Sequence, residues 1–248
     1  MNYIEMHITE ACNLNCRGCS NFSVFAKPKH KDIEEFEREL TRLAEIMGIG
    51  MIRLLGGEPL LNPRFMEYAL IARRLFPKSR VILVTNGLLL KRLVPHIDTL
   101  REKRIEVTMS NYRIKEQNME LFRSLPYTEL HEKGSLYNIS LDLEGKQDEA
   151  ESFRNCDIAT HGWYYFADGR IFPCCIAGTI TDFWDHFGLD FGLDQKSFGI
   201  DIFTHTEQEI EEFLSRPIGL CRFCDTRTRP RTYRPFERTK GDIKEWLI

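Results

Sequence analysis

Cys12, Cys16 and Cys19 form a C-x3-C-x2-C motif near the start of the 248-residue chain. Thiolates this closely spaced can hold three corners of an iron–sulfur cubane and leave the fourth iron without a protein ligand, an open binding site. Zinc is the alternative, because C-x2-C pairs are common zinc ligands. A structural zinc site wants four closed ligands, so His7 or His30 would have to complete it. Five further cysteines lie beyond: a lone Cys156, the adjacent Cys174 and Cys175 after Phe172-Pro173, and a terminal C-x2-C at Cys221 and Cys224. Four thiolates gathered by a hairpin and a loop could close a second cluster or a zinc site, and spacing alone does not separate the two.

Other segments could serve the same site. Gly56-Gly57-Glu58-Pro59 offers two glycines that let backbone approach a ligand closely and a carboxylate that adds an acceptor; taken alone it could be a turn before a helix. Thr85-Asn86-Gly87 and Ser110-Asn111 are polar groups at expected strand ends, and also ordinary turn residues. Alternation on the first strand puts Glu5, His7 and Thr9 on one face, where they either meet a substrate or form a satisfied buried Glu/His pair. Glu5, His7 and Tyr112 are the candidate bases near this mouth.

The elements that must position these groups follow from periodicity. Strands are expected at Tyr3 to Thr9, Met51 to Leu55, Arg80 to Val84, Ile105 to Met109 and Tyr127 to His131. Helices are expected at Ile33 to Met47, Pro63 to Phe76, Leu88 to Arg101 and Glu116 to Ser124, whose apolar residues recur at three and four. Strand then helix, repeated, means a parallel sheet with crossover helices and a site at the strands' C-terminal ends. Five or six such units are too few for an eightfold barrel, so the expected architecture is a partial (β/α)6-type barrel or an open sheet. The rhythm stops near residue 134. A second module follows, with a Tyr164 to Phe172 hairpin turning at Asp168-Gly169, a helix at Glu207 to Leu214 and a basic tail. The expected domains are residues 1–145 and 146–248.

Composition narrows the class. The chain is 42% hydrophobic and 29% charged, with 34 Lys and Arg against 37 Asp and Glu. That balance gives no basic field for nucleic acid, and no apolar run is long enough for a membrane span. The N-terminus lacks a signal-peptide pattern, so the expected compartment is the cytoplasm, where eight cysteines point to metal or catalysis rather than disulfides.

Through the C-x3-C-x2-C loop, the Gly56 to Pro59 segment and the alternating strands and helices, the first 130 or so residues resemble the radical S-adenosylmethionine (SAM) superfamily. The resemblance implies that Cys12, Cys16 and Cys19 ligate a 4Fe-4S cluster whose open iron chelates SAM, with backbone around Gly56 to Glu58 binding its amino group. It implies polar contacts to SAM from Thr85, Asn86, Ser110 and Asn111, reduction by a flavodoxin- or ferredoxin-type partner, and a 5'-deoxyadenosyl radical that abstracts a substrate hydrogen. Gly18 stands where this superfamily usually has an aromatic before the third cysteine, and Phe22 or Phe25 is the expected substitute.

The second module resembles the twitch domain, a shortened SPASM domain, with spacing similar to that of scyllo-inosamine dehydrogenase-type enzymes. Carried across, Cys156, Cys174, Cys221 and Cys224 would fully ligate a second 4Fe-4S cluster. Cys175 is then left over, as a buried side chain, an alternative ligand to Cys174, or a hydrogen-atom donor to a substrate radical. The arginines from Arg222 through Arg227, Arg229, Arg231, Arg234 and Arg238 could grip a phosphorylated or nucleotide-linked substrate, or form a solvated face. The reading favours oxidation or epimerisation of a small carbohydrate-like or aminocyclitol substrate. Its rivals are modification of a ribosomal peptide, against which a first strand beginning at Tyr3 leaves no room for a leader-binding domain, and a zinc-stabilised nonenzymatic binding protein.

Overall fold

The computed structural model describes residues 1–132, 139–227 and 236–247. The chain forms two compact units. Unit 1 is Met1–Asn13, Lys27–Ser135 and Tyr233–Phe236; unit 2 is Leu14–Ala26, Leu136–Thr232 and Glu237–Ile248. The later part of the cysteine loop belongs to unit 2, where Phe22 is a core residue.

In unit 1, β1 (Tyr3–Thr9), β2 (Met51–Gly56), β3 (Arg80–Thr85), β4 (Ile105–Asn111) and β5 (Thr128–Glu132) lie in the order β5-β4-β3-β2-β1, and every neighbouring pair is parallel. The register aligns Ile4 with Ile52, Ile52 with Val81 and Val81 with Ile105, a rung of fully buried side chains across four strands. Parallel strands buried on both faces require such runs. Five parallel strands are present in this unit among the described residues, where the sequence suggested up to six. The fold class is α/β with a mostly parallel sheet.

Between the strands, α1 (Ile33–Ile46) starts at Asp32, whose side chain accepts from the Glu35 amide, and buries Ile33, Phe36, Leu40 and Leu43. Helix α2 (Phe65–Leu75) buries Phe65, Tyr68, Ala69 and Ala72, and its Tyr68 ring meets Phe36 at 5.0 Å. The helix expected over residues 88–101 is instead a 3-10 run at Leu90–His96 followed by α3 (Ile97–Lys103). Pro95 supplies no amide proton, which breaks a continuous α-helix there. Asn118 caps α4 (Met119–Ser124).

Unit 2 contains α5 (Glu149–Arg154), α6 (Asp157–Thr160) and an antiparallel set of β6 (Tyr164–Ala167), β7 (Arg170–Phe172) and β8 (Ile200–Asp201). Asp168 and Gly169 take φ values of 49° and 69°, the paired left-handed residues of a two-residue hairpin turn. Helix α7 (Cys175–Phe187) was not anticipated, whereas α8 (Glu207–Leu214) falls where expected, with a Thr206/Glu209 capping box. The core gathers Phe22, Phe183, Phe198 and Trp246; Phe22 and Phe183 are 5.2 Å apart. Among the described residues, no helix is long and apolar enough to cross a membrane.

Candidate active site

Unit 1 brings the C-terminal ends of β1, β2, β3 and β4 to one edge. The Gly57 amide donates to the Thr9 carbonyl at 2.9 Å, and the Glu58 amide donates to the Ala11 carbonyl at 2.8 Å. A Cβ on Gly56 would lie 2.0 Å from Thr9 O, and one on Gly57 would lie 2.2 Å from Ala11 O. The two glycines therefore admit the backbone that leads into Cys12, a closer neighbour than any ligand.

Glu58 is fully buried, and its carboxylate is already occupied. It accepts from Thr85 Oγ1 and the Asn86 amide, both at 2.7 Å, and from the Leu60 amide at 3.1 Å. Burial pushes its carboxyl up to about 7, opposed by those hydrogen bonds. The carboxylate expected to serve as an added acceptor for a ligand instead joins the end of β2 to the end of β3. Pro59 is buried and opens the 3-10 turn at Pro59–Leu61 that Glu58 caps.

Asn86 is similarly committed. Its Nδ2 donates to Asn13 Oδ1 at 2.7 Å, and its Oδ1 accepts from the Leu88 amide at 3.0 Å. Thr85 Oγ1 accepts from the Gly87 amide at 3.1 Å. The Asn111 amide group is bonded to Glu132 and the Arg113 backbone. Ser110 is buried, and its carbonyl accepts from Gln117. The Tyr112 ring lies edge-on to Phe236 at 6.2 Å. Asn13 and Gln117 were missed by sequence reasoning. Asn13 had one available signal, an amide inside the cysteine motif; Gln117 had none.

Of the candidate bases on β1, Glu5 accepts from the Tyr3 hydroxyl and lies 3.7 Å from Arg53, its register partner on β2. His7 is buried, with Nδ1 3.1 Å from both oxygens of Glu10. A carboxylate there selects the tautomer protonated at Nδ1, which makes Nε2 the basic nitrogen.

In unit 2, the later cysteine loop is tied to the C-terminal segment. The Arg17 amide donates to the Glu237 carbonyl and the Thr239 amide to the Asn15 carbonyl, both at 2.9 Å, flanking a β-bridge between Cys16 and Arg238. The Trp246 indole donates to the Cys19 carbonyl at 3.2 Å. Phe22, expected beside the SAM adenine, has no exposed surface and packs in the unit 2 core. Phe25 is likewise wrapped by Phe183, Phe187 and Trp246.

Cys156, Cys174, Cys221 and Cys224 line one pocket, together with Ile158, Pro173, Ile176 and Leu220. Cys174 caps α7, its Sγ accepting from the Ala177 amide at 3.4 Å. Desolvation pushes the Cys174 thiol upward and the Cys221 thiol up to about 12. Cys175, the first residue of α7, is buried in the unit 2 core, and the residues lining the pocket include Cys174 but not Cys175. Of the arginine tail, Arg222 donates to the Gly145 carbonyl and Arg227 pairs with Glu151, while Arg229, Arg231 and Arg234 lie outside the described residues.

A mostly parallel α/β unit with a three-cysteine loop after its first strand, backed by a glycine pair, defines a class of cluster-bearing enzymes. The radical SAM superfamily model matches residues 6–129, and the chain belongs to that superfamily, an enzyme family that uses SAM and a 4Fe-4S cluster. GTP 3',8-cyclase of Geobacter sulfurreducens is 29% identical over 115 residues, 46% of this chain and 35% of its own length. The same-named protein of Chlorobaculum tepidum is 36% identical over 92 residues, 37% of this chain and 28% of its own length. The chain thus spans about a third of these relatives. The structure of BtrN in complex with AdoMet and 2-DOIA has a TM-score of 0.56 at 19% identity, covering 91% of this chain and 93% of that one.

Proposed function

We propose that this radical SAM enzyme carries two 4Fe-4S clusters and dehydrogenates a small carbohydrate-like or aminocyclitol substrate. The convergence of Cys156, Cys174, Cys221 and Cys224 on one apolar pocket carries the reading. In this reading Cys12, Cys16 and Cys19 hold the SAM-binding cluster, and the strand ends at Gly56 to Pro59, Thr85, Asn86, Ser110 and Asn111 frame SAM, chiefly through backbone. When bound, these groups supply hydrogen-atom abstraction and a seat for one electron.

Four thiols lining one pocket could close a 4Fe-4S cluster or a zinc site, and this reading takes the cluster. Turning a carbinol into a ketone removes one hydrogen atom, one proton and one electron. His7, oriented by Glu10, is the proton acceptor in this reading, with Tyr112 after β4 as the other candidate. Epimerisation instead needs a hydrogen atom returned to the opposite face, and the single thiol left over for that role, Cys175, is in the core. The BtrN structure, solved with 2-DOIA and AdoMet, supports a small-molecule substrate over a peptide. The curated cyclases match too little of their own length to bring GTP with them.

Iron and sulfide per chain after anaerobic reconstitution test this. Roughly eight irons in wild type, falling to roughly four in the Cys12/Cys16/Cys19→Ala variant, are expected from three-plus-four ligation. Four falling to none would refute the second cluster.

A further inference from the structure

We infer that Gln117 is a positioning residue for the SAM-contact edge, a clamp that fixes the ends of β3 and β4 relative to one another. The inference rests on assigning that edge to SAM. Gln117 is 7% exposed, and its amide is used at both atoms. Nε2 donates to the Asn86 carbonyl and to the Ser110 carbonyl, both at 2.7 Å, and Oε1 accepts from the Tyr112 amide at 3.0 Å.

The bonds reach beyond the last ladder positions. β3 pairs with β4 up to Thr85 opposite Met109, and past that pair the main chains are joined through this side chain. Gly87, with φ of 80°, leaves the room: a Cβ there would lie 2.3 Å from the Met109 sulfur and 3.4 Å from Gln117 Nε2. The clamp is continuous with the cysteine loop through Asn86, whose side chain holds Asn13, next to Cys12, and whose amide donates to Glu58. One side chain therefore sets the backbone of Asn86 and of Ser110, two residues assigned to SAM. Only a primary amide at this place offers two donors to two carbonyls and one acceptor to an amide. A carboxylate of the same shape would aim a lone pair at two acceptors.

The test is equilibrium dialysis of radiolabelled SAM against reconstituted, oxidised holoenzyme, in which SAM is not cleaved. Gln117→Glu and the uncharged Gln117→Met are compared with wild type, with Asn86→Ala, and with Ser79→Ala. Ser79 supplies a buried hydroxyl bond to the Ile49 carbonyl at the opposite end of the sheet. Iron content and denaturant midpoints are measured on each. Both Gln117 variants are expected to raise the SAM dissociation constant roughly tenfold or more, as the loss of two buried donors predicts, with iron content retained. Ser79→Ala should lower the midpoint and leave SAM affinity unchanged. Unchanged affinity in both Gln117 variants, with affinity lost in Asn86→Ala, would overturn the clamp and keep the edge assignment. Unchanged affinity in all three would overturn the edge assignment itself. Affinity that falls only in proportion to the midpoint, in Ser79→Ala as in the Gln117 variants, would reduce Gln117 to a structural role.

Discussion

The buried Glu58 carboxylate accepts two hydrogen bonds at Oε1 and one at Oε2, and so joins the end of β2 to the end of β3. A carboxyl raised from 4.5 to about 7 favours its protonated form in the folded state. Its contribution to stability is therefore fully present below about pH 4.5 and is lost as pH rises through about 7, by roughly 3 kcal/mol at most. Urea unfolding of wild type and Glu58→Ala at pH 5 and pH 7.5 should show a larger stability gap at the lower pH, and a gap that widens with pH would contradict this assignment. The two neighbouring cysteines give a second residue-level contrast. Cys174→Ala should lower iron per chain to roughly that of a single cluster, whereas Cys175→Ala should keep both clusters and lose only core packing. Equal iron loss in both variants would reverse the assignment of pocket and core.

At the scale of elements, the short link from β2 into its 3-10 turn does the work of a mould for the cysteine loop. Gly57→Ala would place a methyl 2.2 Å from the Ala11 carbonyl oxygen and 2.7 Å from that of Glu10, backbone atoms that cannot swing aside. The expected result is a loss of about 1–3 kcal/mol, as for other overpacked sites, with depleted iron at the loop. Gly48→Ala, with nothing within 4 Å of its added methyl, should retain its iron; iron content and urea midpoints distinguish the two. The parallel strands were legible from the sequence because each is a short apolar run, and β1 and α8 begin and end where periodicity and capping placed them. Helix α7 was not, since Thr179, Ile180 and Thr181 read locally as β-branched; what holds it helical is tertiary. Gly178 lets it lie against the Tyr165 ring, and Ile180, Phe183 and Trp184 fill the unit 2 core. The division of the cysteine loop between units was equally hidden. It depends on Phe22 packing against Phe183 and on bonds from Asn15, Arg17 and Cys19 to residues more than two hundred positions away.

For the whole molecule, the chemistry turns on which thiols are in reach. Seven cysteines are assigned to two clusters, and the eighth, Cys175, is enclosed by core side chains. In the proposed reading, a substrate radical formed by hydrogen abstraction loses an electron and a proton to give a ketone, and return of a hydrogen atom is the outcome that would contradict it. The reconstituted enzyme, given SAM, a strong one-electron reductant and aminocyclitols or sugar alcohols in deuterated water, should form a ketone, and the recovered alcohol should carry no deuterium at its carbinol carbon. Cys156→Ala/Cys221→Ala/Cys224→Ala should still cleave SAM, because the three-cysteine loop is untouched, yet form no ketone. His7→Gln should lower the ketone yield while preserving SAM cleavage and iron content, because it removes a proton acceptor without touching either thiol set. Mass spectrometry and proton NMR of the product decide the matter: an inverted carbon bearing solvent deuterium would mean that an exchangeable donor reaches the radical after all, and the dehydrogenase reading would give way to an epimerase.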